Sequence, residues 1–249
     1  MDFVQENLVP KIQHHLKDIT KQMIDNPILA MIEVGIFTVE EWRAFAVQRY
    51  LAACYFEELL KAGIKKAKMC GEIEIMTALA ANLRDEEGID EKGNFLPTGS
   101  HEKWRQDFYN ALGLDNQLLA AAVPLVETVE YSAALKDLID NQELFVIVGA
   151  ILLLEYSIPE EFKRLQIGRD KVFPDQFVLQ SSDSIEDRKR KGHARLYIDH
   201  HILHDANSHY PDLEQAIVKS IKNSESLEQI LAGMEIIKSA KQKFYNGCK

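Results

Sequence analysis

Apolar positions recur every three or four residues along most of this chain, and no convincing run of alternating β-branched residues interrupts them. The pattern therefore predicts helices throughout. A first helix spans residues 2–25, with Pro10 as the candidate kink. Thr38 and Glu41 make a capping box that opens a helix running to about Ala62, just ahead of Gly63. Residues 72–87 form a third helix closed by Gly88, and the turn-rich stretch GIDEKGNFLPTG covers 88–99. Ser100 caps a fourth helix that ends at Gly113. Segments 116–139 and 141–156 add two more, the second stopping near Pro159. Residues 166–183, with Gly168 and Pro174, read as a long irregular connection. A helix then runs from about Ser184 through a cluster of histidines, and Ser226 caps a last one reaching about Tyr245. The expected fold class is all-α, a single domain over 1–249 built as an array of seven to eight helices.

Composition narrows the partners. The content of 46% hydrophobic and 27% charged residues is that of an ordinary soluble protein. A net charge of −10, without a basic stripe interleaved with aromatics, argues against nucleic acid. The short basic run from Arg188 to Lys191 reads as a solvated helix face. Cys54, Cys70 and Cys248 lie far apart with no CxxC pair, which speaks for a reducing compartment and against a disulfide frame or a thiolate zinc site. The N-terminus lacks a signal pattern, and the longest apolar run, Phe145 to Leu154, is ten residues and too short to span a bilayer. A cytoplasmic protein with no membrane partner is expected.

Four of the eight histidines fall within LYIDHHILHDANSHY, residues 196–210. His201, Asp205 and His209 recur every four residues and stand at about 0°, 40° and 80° around a helix, so the three can share one face. Imidazole, carboxylate and imidazole aimed at one point suit iron or manganese better than a thiolate-seeking metal. Glu155 ends FVIVGAILLL, the most apolar stretch of the chain. It either needs a cation, a hydrogen-bond partner or a raised pKa, or it reaches water at the helix end beside Pro159. Glu86 lies at about 20° on a helix whose stripe of Ile75, Leu79 and Leu83 spans about 0° to 80°, which makes it either a core-facing ligand or a last-turn residue in solvent. His101 is in phase with Trp104, Phe108 and Ala111, as a ligand or as an ordinary capping residue. Together, Glu86, His101, Glu155, His201, Asp205 and His209 make a sensible ligand set for two divalent metals. A ferritin-like bundle would use Glu-x-x-His pairs, and this chain contains none.

The segments NLRDEEG (82–88), SHEKWRQDFYNALGL (100–114), GAILLLEYSIP (149–159) and HILHDANSH (201–209) resemble, in order and spacing, the haem-oxygenase-like dimetal oxidases. These are relatives of the TenA and PQQ-synthase proteins and of a death-domain-associating (CADD) protein. The resemblance implies ligation by Glu86, by His101 opening its helix, and by Glu155 in mid-helix. It implies two iron ions, or a manganese–iron pair, with a small-molecule substrate and dioxygen as partners and a homodimer as the assembly; an open, solvent-reachable carboxylate–histidine site would be prone to empty during purification. The commonest family motif, His-x3-Asp-x2-His, differs here: Ser208 stands at its second histidine and His209 follows one residue later. Pro211 would leave the Asn207 carbonyl unpaired and loosen this turn, and a one-residue π-bulge would return His209 to the metal face.

The activity implied is an oxygen-dependent oxidase or oxygenase acting on a small molecule or on the protein's own side chain. Three rivals stand beside it. His204 and Asp205 form the dipeptide of HD-type phosphohydrolases. The second is a metal-free enzyme, a TenA-like hydrolase or a PQQ-synthase-like oxidase; Cys54 would be the candidate nucleophile for TenA-like chemistry, although it reads better as a buried core thiol. A non-catalytic partner-binding protein would leave six potential ligands in phase as a coincidence.

Overall fold

In the computed structural model, residues 3–97, 99–204 and 207–248 are described. The chain is all-α. Its helices are α1 (Phe3–Ile24), α2 (Pro27–Val34), α3 (Val39–Ala53), α4 (Phe56–Cys70), α5 (Ile73–Glu86), α6 (His101–Ala111), α7 (Asn116–Ala120), α8 (Val126–Asn141), α9 (Leu144–Val172), α10 (Pro174–Phe177), α11 (Ile185–His204), α12 (His209–Ser220) and α13 (Ser224–Gly247). Some of the expected helices are cut into shorter segments, and α9 is longer than expected.

Helix α9 is the axis of the array. Its run from Val146 to Glu155 is buried on all sides, because α13, α11, α4 and α1 pack around it. Glycines set its closest approach to α13. A Cβ on Gly149 would lie 2.1 Å from the Ile230 carbonyl oxygen, and one on Gly233 would lie 1.9 Å from that of Val146. The two helices therefore meet backbone to backbone, which no larger residue allows.

Several boundaries differ from the sequence expectation. Helix α9 does not stop near Pro159 but continues to Val172, taking up part of the stretch read as irregular. Pro159 removes one backbone hydrogen bond, but Phe162 and Leu165 carry the buried stripe of Leu154 onward, and that packing outweighs the lost bond. The helix opened by Thr38 ends at Ala53, and a new one starts at Phe56 and runs through Gly63. Gly63 is no terminator; it is small because the Leu79 side chain lies 2.7 Å from where its Cβ would be. Helix α2, not anticipated, starts from Asn26, whose side-chain oxygen accepts a hydrogen bond from the Ile28 N–H at 2.9 Å. The segment 116–139 is split between α7 and α8. The last helix is capped by Asn223 rather than Ser226, the Ser226 N–H donating to Asn223 Oδ1 at 2.9 Å. Among the described residues, no helix is long and apolar enough to cross a membrane.

Candidate metal centre

Two local devices bring α5 and α6 together. Gly88, at φ +69°, turns the chain out of α5, and the Leu96 N–H donates to the Gly88 carbonyl at 2.7 Å, closing the 88–99 loop on itself. Ser100 then caps α6, so that His101, its first residue, lies beside Glu86, the last residue of α5. His101 Nδ1 stands 2.8 Å from Glu86 Oε2. From α11, His201 sets its ring 4.7 Å from that of His101, centroid to centroid. Each of Glu86, His101 and His201 offers one ligand atom within 4.8 Å of the others, and all three residues are buried.

The protonation pattern suits ligation. His201 Nδ1 lies 2.5 Å from the Tyr197 carbonyl oxygen, so Nδ1 carries the proton and Nε2 keeps its lone pair for the cluster. Burial and the neighbouring His101 charge lower the His201 pKa to about 3, which keeps the ring neutral. Burial would also lower His101, but Glu86 and Asp85 outweigh it and raise its pKa to about 10. Burial pushes Glu86 up; His101 overcomes this and brings it to about 2. In the metal-free chain, a protonated His101 thus supplies the positive charge that this carboxylate requires.

Glu155 lies on α9 and is 1% exposed. Asn82 Nδ2 donates to its Oε1 at 2.7 Å, while Oε2 is buried without a hydrogen bond and lies 3.5 Å from His209 Nδ1. His209 reaches this point because helix α11 ends at His204 and α12 begins at His209. Ser208 takes an N-cap position with φ −133° and ψ −68°, and its Oγ turns back to donate to the His204 carbonyl at 2.9 Å. Helices α11 and α12 are therefore separate, with Ser208 at the N-cap of the second, where the sequence suggested a one-residue bulge within one helix. Pro211 falls in the first turn of α12, where an N–H would lack an intrahelical partner in any case. Asp205, the remaining residue of the predicted set, lies outside the described residues.

The structure adds residues that the sequence reading passed over. Asp85 Oδ2 stands 3.3 Å from His101 Nε2, 3.4 Å from His209 Nε2, and 3.5 Å from both His200 Nε2 and His204 Nε2. Burial pushes the Asp85 carboxyl up, but the imidazoles of His101, His200 and His209 hold it well below the usual carboxylate range. Asp85 is off the apolar stripe of its helix, so periodicity carried no sign of it. The crowding of His200 and His204 into the histidine-rich segment was the available signal.

Glu86, His101, Glu155 and His201 are among the residues lining a cavity of about 980 Å³, mouth included. Leu135, Leu154, Ile158 and Phe162 form apolar walls, and Arg49, Tyr131, Lys241 and Tyr245 form another polar surface. There Glu161 pairs with Arg49 and accepts from Lys241 Nζ at 2.6 Å. Reading a helix stop at Pro159 concealed Glu161, although Leu154, Ile158, Phe162 and Leu165 stay in phase across it. Cys54 is exposed at the end of α3 and does not line the cavity, so it is neither the buried thiol expected nor placed as a nucleophile there.

The donor set passes a chemical test for a first-row divalent metal. It combines carboxylates with a neutral imidazole of the correct tautomer, and Glu155 Oε2 is a buried oxygen with no hydrogen bond. Comparisons agree in kind. The sequence model of a family described as iron-containing redox enzymes matches residues 43–240. No curated protein matches the sequence. The fold is similar to that of a CADD-like protein of unknown function from Nostoc punctiforme, with TM-score 0.70, 16% identity, and 96% of each chain covered. It is likewise similar to a TenA homolog from Pseudomonas syringae pv. tomato, with TM-score 0.72, 12% identity, and 96% of this chain and 91% of that one covered. At these identities the two structures establish the fold alone.

Proposed function

The chain belongs to the family of iron-containing redox enzymes, and we propose that it holds two divalent ions, iron with iron or manganese with iron, for the oxygen-dependent oxidation of a small molecule. Glu86, His101, Glu155, His201, Asp205 and His209 are the proposed ligands. The observation that carries the reading is the buried trio of Glu86, His101 and His201, drawn from three helices, with His201 Nδ1 tied to Tyr197 so that Nε2 is available. Bound ferrous ions would supply electrons to dioxygen. The rest of the work falls to the chain itself. Asn82 fixes the orientation of Glu155. Leu135, Leu154, Ile158 and Phe162 keep the cavity beside the centre apolar, and Arg49 and Lys241 offer cationic groups to orient a polar end of the substrate.

Reconstitution with Fe(II) under anaerobic conditions tests this. About two iron ions per chain and dioxygen uptake on mixing with air are expected; a chain that binds no iron under these conditions would sink the reading. One observation favours a second substrate, the protein itself. Tyr197 lines the same cavity, with its ring 5.1 Å from that of His201. Mass spectrometry after exposure to iron and dioxygen separates the two: an altered Tyr197 peptide marks self-oxidation, and an unaltered one marks an external substrate.

A further inference from the structure

Beside the proposed centre lies a group of side chains that it does not use. His200 and His204 sit one turn apart on α11 with stacked rings, 4.6 Å between centroids and 25° between planes. Both direct Nε2 at Asp85 Oδ2, at 3.5 Å. Hydrogen bonding does not account for this convergence. An N–H···O bond to a carboxylate settles at about 2.7–2.9 Å, and here Asp85 Oδ2 and His200 Nε2 are buried without one. Coordination does account for it. Two ligands each about 2.1 Å from one tetrahedral ion stand about 3.4 Å apart, so the observed spacing needs little adjustment to admit a metal.

We infer that Asp85, His200 and His204 form a further divalent-metal site at the rim of the centre, separate from the buried ligands. Its side chains are 17%, 24% and 38% exposed respectively, which leaves room for water to complete the coordination shell. Two imidazoles and one carboxylate select first-row divalent ions such as Fe(II), Mn(II), Co(II) or Zn(II), and give no preference to Mg(II) or Ca(II), which take oxygen ligands. None of its three residues belongs to the buried set, although Asp85 Oδ2 also faces His101 Nε2 at 3.3 Å and His209 Nε2 at 3.4 Å, so the two sites are neighbours across Asp85.

The test is a Co(II) titration of metal-stripped full-length protein, followed by equilibrium dialysis and metal analysis. Wild type is compared with His200→Ala/His204→Ala and with Glu86→Gln/His201→Gln. The wild type is expected to bind one more Co(II) per chain than the His200/His204 variant, and the Glu86/His201 variant is expected to keep that ion. Equal counts in wild type and the His200/His204 variant would overturn the site. If that variant melts well below wild type, Asp85→Asn, which keeps the side chain's shape, replaces it and must show the same loss of one ion. A single ion, lost with His200 and His204 but kept without Glu86 and His201, upholds the rim site while removing the buried one. No binding by wild type overturns both.

Discussion

Buried charge beside the cavity shows how neighbours decide what a carboxylate does. Glu161 is fully buried, and burial alone would raise its pKa; Arg49 and Lys241 reverse this and lower it to about 2. Because the folded value lies below the ordinary 4.5, its contribution to stability is fully present above pH 4.5 and is lost as pH falls from 4.5 toward 2. Glu161→Gln should therefore destabilise the protein at pH 7 by about 3–5 kcal/mol, since two buried cations lose their counter-charge. The variant should also show a shallower loss of stability across that acid window, as read by urea denaturation at a series of pH values. His209 carries the second residue-scale prediction. It reaches Asp85 and Glu155 from the first turn of α12, so His209→Ala should reduce iron content and dioxygen uptake as severely as His201→Ala. Iron content and uptake equal to wild type would remove His209 from the ligand set.

Among the elements, the crossing of α9 and α13 fixes where Glu155 stands relative to the cavity. A side chain at Gly149 or Gly233 meets a backbone carbonyl that cannot turn aside. Gly233→Ala should thus destabilise the protein by about 1–3 kcal/mol, the usual cost of overpacking, despite the better helix propensity of alanine. Gly192, in the interior of α11, is the contrast, since nothing lies within 4 Å of where its Cβ would be. Gly192→Ala should stabilise by about 0.5–1 kcal/mol. Urea midpoints for the two variants should move in opposite directions, and a shift of the same sign in both would contradict the packing described. Most helices could be read from periodicity and caps, as with the Thr38–Glu41 box and the Ser100 cap, both present in the structure. The extension of α9 past Pro159 could not, because it depends on partners that are distant in sequence.

For the molecule as a whole, metal and fold should be linked. Five of the six proposed ligands come from α5, α6, α9, α11 and α12, one from each, and an ion that joins them binds the folded chain in preference to the unfolded one. Saturation with Mn(II) at a hundredfold excess over Kd should add about 2.7 kcal/mol of stability for each ion bound. This is observable as a rise in Tm, and in Glu86→Gln/His201→Gln the rise should shrink to the part contributed by the rim ion. An unchanged Tm in wild type would argue that the ligands are not joined by an ion.

The sequence by itself determined the all-α class and most of the ligand candidates. Helical periodicity is a local property, and a carboxylate or imidazole on an apolar stripe is conspicuous within its own helix, as Glu86, Glu155 and His201 were. What it left open were the alternatives for each residue: Glu155 could have reached water, and His101 could have been an ordinary cap. Tertiary structure decided these by burying both and setting His101 beside Glu86. It also brought in Asp85, whose position off the stripe has meaning only once α11 packs against α6 and delivers His200 and His204 to it. Convergence of side chains from separate helices is a property of packing, and no spacing within one segment encodes it.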